Sequence, residues 1–115
     1  MNFAATDPAH PDPELRPLVT GAPAAAVLAA LEEVPRSLRG WRAAGAERGE
    51  DAAVVRFVRV TRWLRFRDDV VVELRDEGER RVVSVSSRSR VGKHDFGQNR
   101  RNVRELLRFL ASRLG

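Results

Sequence analysis

Cysteine is absent from the 115 residues, which excludes a disulfide framework, a thiolate metal site and a cysteine nucleophile. Long apolar runs are absent as well: none approaches the roughly 18 residues that a membrane-spanning helix needs. The first residues, Met1-Asn2-Phe3-Ala4-Ala5-Thr6-Asp7-Pro8, lack the charged-then-apolar layout of a signal peptide. A soluble, cytoplasmic protein is the expectation. Lysine is nearly missing, because Lys93 is the one exception among 21 basic residues that are otherwise arginine.

What is present begins with an uneven net charge of +5. Residues 1–52 carry 5 basic and 8 acidic side chains, a balance of −3, whereas residues 53–115 carry 16 and 8, a balance of +8. A positive field attracts phosphate and acidic surfaces, although charge runs are most often solvated faces. The expected partner is therefore an anionic ligand or an acidic protein surface rather than nucleic acid.

With 43% hydrophobic residues, the chain is sized for one modest core. Residues 1–19 hold Pro8, Pro11, Pro13 and Pro17, and read as an extended, partly disordered leader gripping the domain through Leu15, Leu18 or Val19. Residues 20–115 read as a single domain. Val27, Leu28, Leu31 and Val34 follow Pro23 at helical spacing, and Pro35 is expected to end that helix. The period then changes to two. Trp41 to Glu47 is a weak strand interrupted by Gly45, and Ala52 to Thr61 is a stronger one. Val70, Val72 and Leu74 share one face of a third strand, and Val83 and Val85 face the core from a fourth. Val103, Leu106, Leu107, Leu110 and Leu114 line a closing helix. The fold class expected is α+β: a two-layer domain with an antiparallel sheet of about four strands and two helices on one face.

The most distinctive polar chemistry lies where the last strand hands over to the closing helix, between Ser84 and Arg100. Gly92 and Gly97 permit a tight turn, and Asp95 or Asn99 is suited to cap the helix. With Arg90 and Lys93 near the exposed amides of a helix start, a carboxylate or phosphate is a fitting occupant. The plainer alternative is bracing, with Asp95 capping the helix and pairing with Arg90, and Asp68 or Asp69 pairing with Arg62 or Arg88. Adjacent strand residues point to opposite faces, so only one of Asp68 and Asp69 can join the arginine and serine cluster. The serines lack a nucleophile elbow, His94 fits an exposed turn, and no metal-ligand spacing is recognisable. No cofactor is expected. Trp41 and Trp63 fit core or rim packing beside valine-rich strands.

Two stretches carry a family resemblance: Arg62-x-x-x-Phe66-x-Asp68-Asp69-Val70, and Ser87-x-Ser89-Arg90-Val91-Gly92-x-x-Asp95-x-Gly97-x-Asn99-Arg100. Together they resemble the domain of unknown function family 1499 (DUF1499), over roughly residues 22–114. That resemblance implies a fold and the location of a site, not an activity. The candidate anion site comprises Arg62, Asp69, Ser87, Arg88, Ser89, Arg90, Lys93, Asp95, Asn99 and Arg100. The function expected is a non-catalytic binding or accessory module with an anion-receptive strand-to-helix junction. The alternative is a small enzyme using Asp95, His94 or Asp69 for proton transfer, which requires a pocket holding at least two of those side chains.

Overall fold

Period-two alternation of valine with polar residues builds the sheet, and the two helices cover its apolar side. The computed structural model describes residues 2–92 and 97–115. In chain order the elements are β1 (Phe3–Ala5), a single 3-10 turn (Pro13–Leu15), β2 (Leu18–Thr20), α1 (Ala24–Ser37), β3 (Trp41–Arg48), β4 (Ala52–Val60), β5 (Arg67–Asp76), β6 (Arg81–Ser89) and α2 (Gln98–Leu114). Strands β3 to β6 form an antiparallel meander in sheet order β6-β5-β4-β3.

The sheet has six strands rather than about four. The additional two come from the proline-rich segment: β1 pairs with residues 86–88 of β6, and β2 pairs with residues 81–83 of the same strand. Proline has no amide to give to a ladder, so pairing is confined to the two proline-free pieces of three residues. Between them Pro13 opens the 3-10 turn, Asp12 accepts a 2.9 Å hydrogen bond from the Glu14 amide, and Leu15 is buried.

This N-terminal turn is tied to α2 by ion pairs. Arg104 donates to Asp12 at 2.6 Å, and Arg108 donates to both Glu14 oxygens at 2.5 and 2.7 Å. The Arg104 hydrogen bond, with help from the Glu14 amide, holds the Asp12 carboxyl below its ordinary value, and Arg108 does the same for Glu14. A carboxyl whose acidity is strengthened by folding contributes stability above its unfolded value and loses it as pH falls through the folded one. The tie is therefore expected to loosen below about pH 4. In an acid titration followed by NMR, the amide signals of Asp12, Glu14, Leu15 and Arg16 should move toward random-coil positions before those of β5 do.

The core follows the expected faces. Val70, Val72 and Leu74 of β5, Val83 and Val85 of β6 and Phe57 of β4 pack in one cluster with Val27, Leu31 and Val34 of α1 and with Val103, Leu106 and Leu110 of α2. Trp41 joins it, with its ring edge-on to Phe57 at 5.9 Å between centroids. The opposite face of the sheet is open and carries pairs such as Arg56 with Glu47 and Arg90 with Asp69. Helix α1 does not end at Pro35 but runs on to Ser37. In the last turn the ring forfeits a single intrahelical bond, and the Leu38 amide still donates to the Val34 carbonyl at 2.9 Å. In β3 the expected interruption at Gly45 is a bulge: the register shifts between Ala43 and Gly45, where φ is +131°.

Candidate functional site

At the end of the sheet nearest the start of α2, the helix-facing side turns from apolar to polar. Cross-strand register places Trp41, Arg59, Asp68 and Ser89 in one row across β3, β4, β5 and β6. The next row inward holds Phe57, Val70, Ser87 and Ala4. Over these rows α2 lays Gln98, Asn102 and Glu105, which helical spacing puts on one face.

The result is a buried hydrogen-bond network. Ser87 Oγ donates to Asn99 Oδ1 at 2.7 Å, and Asn99 Nδ2 donates to Ser89 Oγ at 2.9 Å. Asn102 Nδ2 donates to Asp68 Oδ2 at 2.8 Å and to Ser87 Oγ at 3.0 Å, while Asn102 Oδ1 accepts from Gln98 Nε2 at 2.7 Å. Asp68, Ser87 and Asn99 are 0% exposed and Asn102 is 1%. At the far end of the row, Glu105 accepts from Trp41 Nε1 at 2.5 Å and lies 3.6 Å from Arg59 Nε.

Two polar atoms stand outside this bookkeeping. Arg59 Nε and Asp68 Oδ1 are buried with no hydrogen-bond partner among the described residues. A buried acceptor left unpaired costs about 1–3 kcal/mol, more when the group is charged, so its position needs a reason. Asp68 lies in the lining of a hollow of about 250 Å³ between the β4–β5 hairpin and α2. Ser89 lies beside it. The outer wall is apolar and solvent-facing: Trp63 is 84% exposed, Val91 71%, Leu64 68% and Phe66 47%. Arg59, Thr61, Arg62, Gln98 and Arg101 are the other polar residues of the described lining. The Arg62 guanidinium stacks 5.1 Å from the centre of the Trp63 ring.

The hairpin that forms the wall is pinned at its base. The Thr61 amide donates to the Phe66 carbonyl, and the Phe66 amide to Thr61 Oγ1, both at 2.8 Å. Four residues, Arg62 to Arg65, make the turn, with Arg65 in the left-handed region at φ +55°.

The sequence-predicted residues divide between two sides of the sheet. Ser87, Ser89 and Asn99 meet in the buried network, but Asn99 is inside α2 with its side chain directed at β6, and the N-cap position belongs to Gly97. Asp69 is on the open face, where Arg90 grips it bidentately at 2.9–3.1 Å. Arg88, on that face too, stacks 4.7 Å from the Phe3 ring centre rather than pairing with an aspartate. Arg62 lines the hollow, and Arg100 is exposed on α2. Lys93, His94 and Asp95 lie outside the described residues. The division follows from strand parity: with Val70, Val72 and Leu74 inward, Asp68 is inward and Asp69 outward. It is therefore Asp68, not Asp69, that joins the serines.

Sequence reasoning also passed over Asn102, Arg59 and Glu105. A signal for the asparagines existed, since Asn99 and Asn102 precede Val103 and Leu106 by four residues and so sit on the apolar stripe of α2. Among the described residues no group of three or more acidic, histidine or cysteine side chains is placed to hold a metal ion. No helix among them is long and apolar enough to cross a membrane.

Comparison with known proteins bears on this arrangement. The family model DUF1499, described as a protein of unknown function, matches residues 2–110, so the match extends over the proline-rich segment as well. No match was found among curated proteins. Among solved structures, the crystal structure of TTHA0849 from Thermus thermophilus is similar at 17% sequence identity, covering 97% of this chain and 96% of that one, with a TM-score of 0.45.

Proposed function

The chain belongs to the DUF1499 family, and from that premise and the geometry of the hollow we propose that it is a non-catalytic binding module. Its ligand is a small amphipathic molecule with an apolar body, a hydrogen-bond donor at one end and an anionic group at the other. The observation that carries this reading is Asp68: a fully buried carboxyl whose Oδ1 has no partner among the described residues, set in the lining of an open hollow. A ligand hydroxyl or amine satisfies that oxygen. The exposed Trp63, Leu64 and Phe66 side chains offer the apolar body a surface, and Arg62 offers charge to the acidic end.

Binding is favoured over proton-transfer catalysis because Asp68 is the one acid in the lining of this hollow among the described residues, and no histidine accompanies it there. Of the three residues considered for such chemistry, Asp69 is engaged by Arg90 on the far side of the sheet, and His94 and Asp95 lie outside the described residues.

The test is calorimetric. For the wild-type protein, omega-hydroxyoctanoate is expected to bind about tenfold more tightly than its O-methyl ether, which cannot donate to Asp68. In Asp68→Asn, which keeps an acceptor for Asn102 but turns the free oxygen into a donor, the preference should vanish or reverse. Equal affinity of the two probes in both proteins, or no binding of either to the wild type, overturns the proposal.

A further inference from the structure

We propose that the tip of the β4–β5 hairpin is a docking surface for an anionic phospholipid membrane. This inference rests on the exposure and charge of the tip; it shares Arg62, Trp63 and Leu64 with the lining of the hollow but does not involve Asp68.

The turn reads Arg62-Trp63-Leu64-Arg65, closed beneath by the two Thr61–Phe66 hydrogen bonds. Two large apolar side chains are thus held at the end of a pinned hairpin, largely exposed, with none of the described residues covering them. Together with Val91, which borders the same hollow, they are the most exposed large apolar side chains among the described residues. A hydrophobic cluster of this kind marks an interaction site.

Charge at the tip identifies the partner's sign. Arg62, Arg65 and Arg67 flank the apolar pair, and none has a carboxylate partner among the described residues. Behind the tip a second hollow, of about 370 Å³, is lined by Arg39, Arg42, Arg59, Arg62 and Arg65. One acid, Glu105, reaches it, and that carboxyl is already engaged by Trp41 and Arg59. Five guanidinium groups around one cavity suit phosphate oxygens, which arginine binds with a matching fork.

Geometry separates a bilayer from an acidic protein. A stable protein interface buries about 800 Å² on each partner, and a turn of four residues supplies too little area for it. A membrane asks less: tryptophan and leucine enter the headgroup boundary while flanking arginines meet lipid phosphates. That division of labour is the one the tip presents.

The protein contains its own reporter. Trp41 is 2% exposed in the core and Trp63 is 84% exposed at the tip, so a change in tryptophan emission on vesicle addition reports Trp63. Vesicles of phosphatidylcholine containing phosphatidylglycerol are expected to shift the emission to the blue, and pure phosphatidylcholine vesicles to leave it nearly unchanged. Co-sedimentation with the mixed vesicles should fall at least about tenfold in Trp63→Ser/Leu64→Ser and, separately, in Arg62→Gln/Arg65→Asn, losses on the scale of the charge and apolar contacts removed. Asparagine is chosen because it tolerates the left-handed backbone at Arg65, and circular dichroism verifies that both variants fold. An unchanged emission with mixed vesicles overturns the proposal. So does an equal blue shift on adding polyglutamate or inorganic phosphate, or self-association without vesicles that the Trp63→Ser/Leu64→Ser change abolishes.

Discussion

Asn102→Ala is expected to lower the free energy of unfolding by about 3 kcal/mol, the cost of stripping partners from buried polar groups. One side chain amide here serves three neighbours: it donates to Asp68 Oδ2 and Ser87 Oγ and accepts from Gln98. Truncation leaves Asp68, 0% exposed and already short of one partner, with neither oxygen bonded to any described residue. Gln98→Ala is the contrast. Its amide is only half-buried, water can replace the lost bond, and the change should cost under about 1 kcal/mol. Urea unfolding of the two variants measures the difference, and similar midpoints would show that the network does not hold α2 to the sheet.

Gly40→Ala is the second large effect, at about 2–4 kcal/mol from backbone strain and overpacking together. Gly40 has φ +83°, and an added Cβ would sit 2.1 Å from Arg59 Nη1 and 2.6 Å from the Val60 carbonyl oxygen. Neither neighbour gives easily. The Val60 amide donates to the Gly40 carbonyl at 2.8 Å, which fixes the two backbones against each other, and Arg59 Nη1 donates to the Val60 carbonyl. Gly78→Ala isolates the conformational part of this cost, because φ there is +85° yet no atom lies within 4 Å of an added Cβ. Gly78→Ala should therefore lose about 1 kcal/mol. Thermal unfolding of the pair checks the gap. Gly40→Ala should also weaken omega-hydroxyoctanoate binding, because Arg59 lines the hollow and must move.

Where a single residue's neighbours in sequence decide its environment, the chain was legible. The faces of β5, β6 and α2 follow from alternation and helical spacing, and all the expected core positions on β5 and β6 are buried. The proline-rich segment was read as outside the sheet because two strands of three residues carry no periodicity to detect; only the free edge of β6, a tertiary feature, gives them a partner. The site was legible in part. Parity alone placed Asp68 inward, but the motif drew attention to Asp69, whose role is an exposed pair with Arg90. The convergence of Trp41, Arg59 and Asp68 could not be read, since it depends on register across three strands and on a bulge at Gly45. Trp63 illustrates the same limit from the other side: tryptophan beside valine-rich strands is usually packed, and here a four-residue turn carries it into solvent.

In the proposed function a ligand sits in the hollow beneath the β4–β5 hairpin, with Asp68 in its lining. Amide chemical-shift mapping of the labelled protein titrated with omega-hydroxyoctanoate tests it most directly. Saturable shifts concentrated at Thr61 to Phe66, Asp68, Ser89 to Val91 and Gln98 are the predicted result. Shifts confined to the open face around Asp69, Arg88 and Arg90, or none at all, would contradict it.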